Sequence, residues 1–388
     1  MPAFLLILLL LLSGCSAKDG GHRVLRFELD GIPVVRTEGA PKYEGPLFEV
    51  TEDLVLGVDE GDPEWQQFGT VPDLLVAPDG RMVLSDDRRV ELYIVSPEGE
   101  LLHRFGREGS GPGEFQSLWL MHWYEPGEEF WVEDQMNFRI SRFDMKGSFL
   151  GSLNATHIRR RNTFFNRLGK DHWLGSTGER EVNRNVMKYE FLDADLQVVR
   201  PFLTLDFSPS YPISSNAFIP IPYTQGEGIR VGPNGEIVDA EPNQGWIRRY
   251  DPDGTLLYQI EREWEFPPVT AAEKDSLRRR YRESRTESYR RIADEIPIPD
   301  RKPAFRSLLV DDAGRIWVER YGSGRYPLPV GEGLVYDVFD REGVWIGVQS
   351  FDFRPTLIVY GHVYHSGTSE AGAPRLYRHR LDPLHPVR

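Results

Sequence analysis

The chain has 388 residues, and its 60 acidic and 46 basic side chains give a formal net charge of −14 at pH 7. This charge argues against a general nucleic-acid-binding protein, which needs positive charge to displace counterions from phosphate. The 9 Trp, 16 Tyr and 21 Phe residues, beside 37 Gly and 29 Pro, favour a β-rich fold with many turns over a helical one.

The N-terminal segment is typical of an export signal. Residues 1–12 are apolar apart from Pro2, and this run is too short to span a bilayer stably. The Leu-Ser-Gly-Cys sequence that ends at Cys15 resembles the bacterial lipobox, although no Lys or Arg precedes the apolar run. The resemblance implies that residues 1–14 are removed as a signal peptide and that Cys15 carries a lipid. The alternative is an ordinary secretory signal in which Cys15 is incidental.

The residues after Cys15 bear on where the protein resides. Cys15 is the one cysteine of the sequence, so the exported protein has no disulfide to form. Ser16 resembles the sorting signal of outer-membrane lipoproteins. We therefore expect a lipid-anchored protein of the cell envelope, in the outer rather than the inner membrane, facing either the periplasm or the exterior.

Residues 15–46 are polar and rich in Gly and Pro, which is typical of a tether. Within the tether, residues 24–27 and 33–36 could form short strands packed outside the main body. Residues 47–58 then form one good strand that has no partner beside it in the sequence.

Residues 71–115 form a module of four predicted strands. Asp79-Gly80 and Glu98-Gly99 lie between apolar runs, and each predicts a tight turn because Gly readily adopts positive φ. The module ends in the sequence FGREGSGPGEF, residues 105–115, which we call the Gly-rich segment. Similar pairs of turns recur along the chain, which indicates a structural repeat. The other predicted copies cover residues 118–153, 164–199, 228–260 and 307–348.

The last part of the chain, residues 356–381, offers three strands and lacks a fourth. The unpaired strand of residues 47–58 would complete it and close a ring, which removes both free sheet edges. The sequence therefore predicts an all-β, six-bladed β-propeller over residues 47–388, closed by its N-terminal strand.

One segment lacks the β pattern, and its residues predict a helix. Thr270 and Glu273 have the spacing of a capping box, and the residues that follow lack Gly and Pro until Pro297. We expect a helical insertion at about 270–295 between blades four and five, with Leu277, Tyr281 and Ile292 facing the ring.

The Gly-rich segment, together with the sequence DGRMVLSD of residues 79–86, resembles the repeat of NHL-type six-bladed β-propellers. The whole chain resembles bacterial six-bladed propeller lipoproteins. The resemblance implies the fold and no particular activity, since this fold serves binding proteins, lyases and lactonases.

The topology of a four-stranded blade separates two faces. Turns between strands one and two, and between strands three and four, lie on one face, which we call the turn face. The remaining loops and the crossings between blades lie on the other, the loop face. Because the turns are uniformly tight and the loops vary in length, we expect a ligand on the loop face, around the mouth of the central channel. The candidate ligand-binding residues there are Asp86, Arg88, Glu133, Asn137, Arg139, Arg180, Glu241, Asn243, Arg320, Tyr321 and His365.

Two chemical hypotheses concern these candidates. Arg139 and Arg320 could hold a sugar or a carboxylate through forked hydrogen bonds near an aromatic ring. His362 and His365, three apart on a strand, point to opposite faces, which disfavours a shared metal ion. The Gly-rich segment is not followed by Lys-Ser/Thr, so a phosphate loop is disfavoured as well. For the Arg-rich stretch of residues 278–291, a solvated helix face is favoured over contact with anionic lipid.

The favoured function is a membrane-anchored propeller, expected to be a monomer, that binds a small molecule, glycan or protein partner without catalysis and without a cofactor. One alternative is a hydrolase or lyase with a divalent ion in the central channel. A second alternative is a structural subunit of an envelope assembly. No set of catalytic residues can be assembled from the sequence.

Overall fold

The fold is built almost wholly from antiparallel strands. The structure, a computed structural model, describes residues 21–58, 63–70, 73–124, 128–155, 163–169, 171–180, 185–206, 210–213, 218–224, 228–321 and 333–387. The predicted signal peptide and the predicted lipidation site Cys15 lie outside these residues. The first three strands are β1 (Arg23–Leu29), β2 (Ile32–Glu38) and β3 (Phe48–Leu56).

Six four-stranded blades follow one another around the ring, and in each the first strand is the innermost. Blade 1 contains β4 (Asp73–Val76), β5 (Met82–Asp86), β6 (Glu91–Val95) and β7 (Leu101–Phe105). Blade 2 contains β8 (Met121–Tyr124), β9 (Glu129–Asp134), β10 (Arg139–Asp144) and β11 (Phe149–Asn154). Blade 3 contains β12 (Thr163–Arg167), β13 (His172–Arg180), β14 (Asn185–Asp193) and β15 (Val198–Asp206).

The second half of the ring repeats this order. A hairpin of β16 (Ser210–Pro212) and β17 (Phe218–Pro220) lies in the crossing to blade 4, which contains β18 (Gly228–Val231), β19 (Ile237–Glu241), β20 (Trp246–Tyr250) and β21 (Leu256–Arg262). Blade 5 contains β22 (Phe305–Val310), β23 (Ile316–Arg320), β24 (Leu334–Phe339) and β25 (Trp345–Phe351). Blade 6 contains β26 (Leu357–Val359), β27 (His362–Thr368) and β28 (Pro374–Pro383).

The N-terminal strand β3 supplies the fourth strand of blade 6. It pairs antiparallel with β28, from Phe48 opposite Pro383 to Leu56 opposite Leu376. The predicted six-bladed ring, closed by the N-terminal strand, is therefore confirmed.

The turn between strands three and four is built in one way in five blades. A side-chain oxygen of the first turn residue accepts hydrogen bonds from the backbone N–H groups two and four positions later. The residue three positions later has positive φ, and four of the five are Gly. These short turns make the turn face uniform, as the sequence predicts. The first turn residues are Ser96, Asp144, Asp193, Asp251 and Asp340.

The apolar core lies between neighbouring blades. Between blades 1 and 2, Phe115 is completely buried, with its ring centroid 5.7 Å from that of Phe143. Phe105 lies 5.1 Å from Phe143 on the same measure. The two ends of the Gly-rich segment therefore anchor blade 1 to blade 2, and its glycines serve the crossing between them.

The residues before β3 form a belt along the outside of the ring. Strands β1 and β2 make a hairpin, and β2 adds parallel to β21, from Val34 opposite Gln259 to Thr37 opposite Arg262. The chain then follows β25, where Lys42 and Tyr43 donate backbone hydrogen bonds to blade 5. We call residues 23–46 the belt.

The helical insertion between blades 4 and 5 is confirmed. It consists of α1 (Ala271–Arg282) and α2 (Glu287–Ile292), and Thr270 with Glu273 forms the predicted capping box. Leu277 and Ile292 are buried, and Tyr281 packs in a cluster with Ile292 and Ile219 of β17. Among the described residues, no helix is long and apolar enough to cross a membrane.

Candidate functional site

The sequence-predicted site residues sit at the loop face, at or near the ends of second strands and in the loops that follow them. They are spread over the six blades, so the structure does not gather them into one cluster. Most of those whose side chains are described bond to neighbouring protein groups. The backbone of Arg180 ends β13, but its side chain lies outside the described atoms.

Asp86 is completely buried and ties a loop to a crossing. Its carboxylate accepts hydrogen bonds from the backbone N–H of Gly69 at 2.5 Å and of Arg88 at 3.1 Å. Asp134 has the equivalent role in blade 2, where it accepts from the N–H groups of Gln116 and Asn137. Asp134 is not among the sequence-predicted candidates, although the repeat places it at the position of Asp86.

Asn137 and Arg139 hold the Gly-rich segment. Asn137 Nδ2 donates to the carbonyl oxygen of Gly109 at 2.8 Å. Arg139 donates to the carbonyl oxygens of Ser110 and Gly111, each at 2.9 Å, and to that of Glu114. The guanidinium of Arg139, a ligand-binding candidate in the sequence, thus donates to backbone carbonyls of the protein itself.

Arg320 likewise bonds to a neighbouring protein group. Its Nε and Nη2 atoms donate to the two carboxylate oxygens of Asp337 at 3.0 and 2.8 Å. These hydrogen bonds, strengthened by charge, raise the pKa of the Arg320 guanidinium. Arg262 Nη1 lies 2.8 Å from the same carboxylate, so Asp337 is shared between two cations.

Tyr321 directly follows β23. Its ring centroid lies 6.5 Å from that of Tyr223 in the crossing before blade 4. Lys302 lies over the Tyr223 ring at 5.7 Å and donates to Glu273 at 2.7 Å. Burial raises the pKa of the Tyr321 phenol.

In blade 4, Glu241 accepts a hydrogen bond from the backbone N–H of Asn243 at 2.9 Å and so shapes its own loop. Asn243 is exposed on that loop, and Arg88 is exposed on the equivalent loop of blade 1. The candidate role of these three residues in ligand binding stays a prediction.

His365 belongs to a stack of four rings on blade 6. Its ring is nearly parallel to those of Phe353 and Tyr377, with centroid distances of 4.1 and 4.6 Å. Its Nε2 atom lies 3.1 Å from Nε2 of His379. Burial, together with the neighbouring His379, lowers the pKa of His365 to about 4. This pair therefore holds one imidazole N–H as donor and one nitrogen as acceptor, with both rings neutral.

His122 lies at the channel mouth, where the innermost strands of blades 1 and 2 meet. His122 Nε2 is 2.8 Å from the buried carboxylate of Glu133. Asp73, the first residue of β4, is exposed, but the protein atoms around it raise the pKa of its carboxyl; the hydrogen bond from the backbone N–H of Leu74 and the nearby His122 oppose this effect. The predicted residue Glu133 thus lies beside a histidine that could act as an acid or a base at the channel mouth.

A cavity of about 530 Å³ lies at the rim of blade 4. The belt forms one wall, and the loop after β19 and the end of β21 form the others. Because β2 runs parallel to β21, both strands end at the loop face, so the residues that line the cavity lie at that face. It joins positions more than 200 residues apart, and no sequence motif indicates it. Its lining is Arg36, Glu38, Gln244, Gly245, Trp246, Glu261, Arg262, Glu263, Trp264 and Phe266.

Within the part of the chain that the structure describes, no group of three or more His, Cys, Asp or Glu side chains is placed to hold a metal ion.

No family model matches the sequence, and no curated protein matches it. Several solved structures are similar in fold. A presumed exported protein from Bacteroides fragilis is 10% identical with a TM-score of 0.49, over 90% of this chain and 99% of that one. A DUF4221 family member from Bacteroides vulgatus is 10% identical with a TM-score of 0.45, over 87% and 98%.

A third similar structure is that of virginiamycin B lyase from Staphylococcus aureus. It is 11% identical with a TM-score of 0.39, over 86% of this chain and 99% of that one. At these identities the likeness concerns the fold alone. The NHL-type resemblance of the Gly-rich segment stays a prediction.

Proposed function

We propose that this chain is an exported, lipid-anchored β-propeller that binds a ligand or a protein partner on its loop face without catalysing a reaction. The observation that carries the proposal is the contrast between the two faces. The turn face is built from short turns of one design, whereas the loop face carries the helical insertion, the crossings and the 530 Å³ cavity. Rigid scaffolds commonly present binding residues on such variable loops.

Site-specific photocrosslinking in native cells tests which face is used. A benzoylphenylalanine placed at Arg88 reports on the loop face, and one at Lys146 reports on the turn face. Both side chains are exposed on loops of neighbouring blades, so they are matched in access. We expect a discrete adduct from position 88 and none from position 146. Adducts that form from position 146 alone would contradict the proposal.

One observation favours the catalytic alternative. Glu133 orients His122 at the channel mouth through a 2.8 Å contact, and Asp73 on the neighbouring strand has a raised pKa. A carboxylate that orients an imidazole is the usual arrangement of a general base. A hydrolase or lyase site at the channel mouth is therefore the second candidate.

Turnover and metal content separate the two candidates. The purified protein is assayed on a panel of lactones and p-nitrophenyl esters, and its bound Ca, Mg and Zn are measured. The binding proposal expects no turnover. Turnover that falls about a hundredfold or more in His122→Gln would replace it with the catalytic candidate. A stoichiometric, chelator-sensitive metal ion would also argue against a non-catalytic protein.

A further inference from the structure

The rim cavity of blade 4 has the size and the walls of a small-molecule site. Its volume of about 530 Å³ falls within the range of ligand pockets, roughly 300 to 1,000 Å³. It differs from the rest of the loop face because the belt, and not a neighbouring blade, supplies one wall. Arg36 and Glu38 come from β2, Trp246 is the first residue of β20, and Trp264 follows β21.

The aromatic walls of the cavity are held rigidly. Trp264 packs against Phe305 and Phe339 of blade 5, with ring centroids 5.2 and 5.9 Å apart. Trp246 is half-buried, and the guanidinium of Arg248 lies 4.2 Å above its ring. These contacts fix the two indoles before any ligand arrives, which reduces the entropy lost on binding.

Gly245 lets the loop approach Trp264 closely. Its φ is +76°, and a Cβ atom added there would lie 2.8 Å from Cδ1 of Trp264. The indole N–H of Trp264 is buried and has no hydrogen-bond partner among the described residues. A buried donor of this kind calls for an acceptor that the protein itself does not provide.

The polar walls offer both donors and acceptors and are close to neutral as a whole. Arg36 Nη2 lies 2.6 Å from Glu261 Oε2, so the hydrogen-bonding groups of this pair are presented together. Arg262 is turned toward Asp337. With Glu38 and Glu263, the lining carries two cations and three anions. This balance does not favour an anionic ligand such as a phosphate or a carboxylate, which requires an excess of positive charge.

We propose that this cavity binds a neutral carbohydrate, with a sugar ring against the face of Trp246 opposite Arg248 and its hydroxyl groups on the charged side chains. A sugar hydroxyl both donates and accepts hydrogen bonds, so a wall that presents Arg and Glu side by side suits it. The C–H face of a pyranose is apolar and matches the face of an aromatic ring. The inference rests on the proposed function, because it names the ligand of the loop face and the place where that ligand binds.

Calorimetry on the full-length protein in detergent tests the inference. The probes are glucose, galactose, mannose, N-acetylglucosamine and xylose with their β-linked oligomers, galacturonate as an anion, and choline as a cation. We expect a neutral saccharide to bind and galacturonate not to bind. Trp246→Ala should weaken the saccharide at least about tenfold. The matched control is Trp119→Ala, since Trp119 is another partly exposed tryptophan of the loop face, 46% accessible.

Glu38→Gln is a second test variant, which keeps the inference testable if Trp246→Ala does not fold. Glu38 lies at the rim of the cavity and is 44% exposed on its side chain, so its replacement should leave the melting temperature unchanged. It should still weaken the saccharide several-fold, because one hydroxyl acceptor is lost.

Each other outcome overturns the inference. If a saccharide binds Trp246→Ala and wild type equally but loses affinity in Tyr321→Ala, the loop face binds the ligand elsewhere and the proposed function stands. If choline binds and the saccharides do not, the cavity is a cation site. If no probe binds, the carbohydrate assignment fails, while the crosslinking at positions 88 and 146 still decides the proposed function.

Discussion

Arg139 Nη2 donates a hydrogen bond of 2.9 Å to the carbonyl oxygen of Gly111, so a side chain of blade 2 holds the segment that leads into that blade. The same guanidinium bonds to Ser110, and Asn137 holds Gly109. Backbone carbonyls at a Gly-rich crossing have no strand partner, and these side chains satisfy them. The crossing therefore has one conformation despite its four glycines.

Arg139→Ala should lower the free energy of unfolding by about 2 to 3 kcal/mol, because it leaves several carbonyl oxygens without a charged donor. Urea denaturation followed by tryptophan fluorescence measures the change. The control is Arg107→Ala in the same segment, whose side chain is 78% exposed and ion-paired with Glu114. This surface pair should contribute no more than about 1 kcal/mol. Equal losses in the two variants would contradict the role assigned to Arg139.

The His365–His379 pair predicts a pH dependence of stability. Burial lowers the pKa of His365 from 6.5 to about 4. Between these values the unfolded chain binds a proton that the folded chain does not bind. The free energy of unfolding therefore falls as the pH drops through 6.5 toward 4, and His365 adds little pH dependence above about 7.5.

His365→Phe removes this titration and keeps a ring between Phe353 and Tyr377. Between pH 6.5 and 4, wild type should lose about 2 kcal/mol more than this variant. Urea midpoints at several pH values provide the comparison, and His103→Phe, at an exposed position of β7, is the control. Parallel curves for wild type and His365→Phe would show that the pair does not titrate as described.

The turn aspartates should each stabilise the fold by a similar amount. Asp251 accepts hydrogen bonds from the N–H groups of Asp253 and Thr255 at 3.0 and 2.8 Å. Asp251→Ala should cost about 1 to 2 kcal/mol, and Asp251→Asn, which keeps an acceptor oxygen, less than half of that.

If the two turns stabilise the fold independently, the losses in unfolding free energy of their variants should add. Asp144 makes the same contacts in blade 2, two blades away from Asp251. The double variant of Asp144→Ala and Asp251→Ala should lose the sum of the single losses within about 0.5 kcal/mol. A clear excess over the sum would mean that the blades unfold as coupled units.

The anchor prediction concerns Cys15. Cys15→Ser should move the protein from the membrane fraction to the soluble fraction, and mass spectrometry should find the lipid on the N-terminal peptide of wild type alone. Ser16→Ala leaves the lipidated residue in place and should keep the protein on the membrane. If Cys15→Ser still sediments with membranes, another feature holds the protein there.

The elements that the sequence predicts best are those set by local chemistry. Gly99, Gly254 and Gly343 mark turns because each adopts positive φ, and the Thr270 capping box marks the first residue of α1. Blade 3 is harder to recognise because Leu196 occupies the equivalent turn position with a φ of 62°. No glycine marks that turn in the sequence.

The candidate site is less predictable, since it depends on contacts between distant segments. Arg139 and Arg320 resemble ligand-binding residues in the sequence, because a charged residue at a loop gives no sign of a protein partner. Their partners, Gly111 and Asp337, become visible only when the blades are assembled. Likewise, nothing local indicates that β2 pairs with β21 and brings Arg36 to Trp246.

The belt has a consequence for the order in which the protein matures. Thr37 accepts a hydrogen bond from the N–H of Trp345, Leu47 and Phe48 donate to Gln349, and β3 pairs with β28. The belt and β3 thus pair with residues more than 300 positions later in the chain. A chain released before β28 is synthesised cannot close the ring, so folding is completed only after this strand is made. A chain that ends before β28 therefore keeps open sheet edges, which favour aggregation.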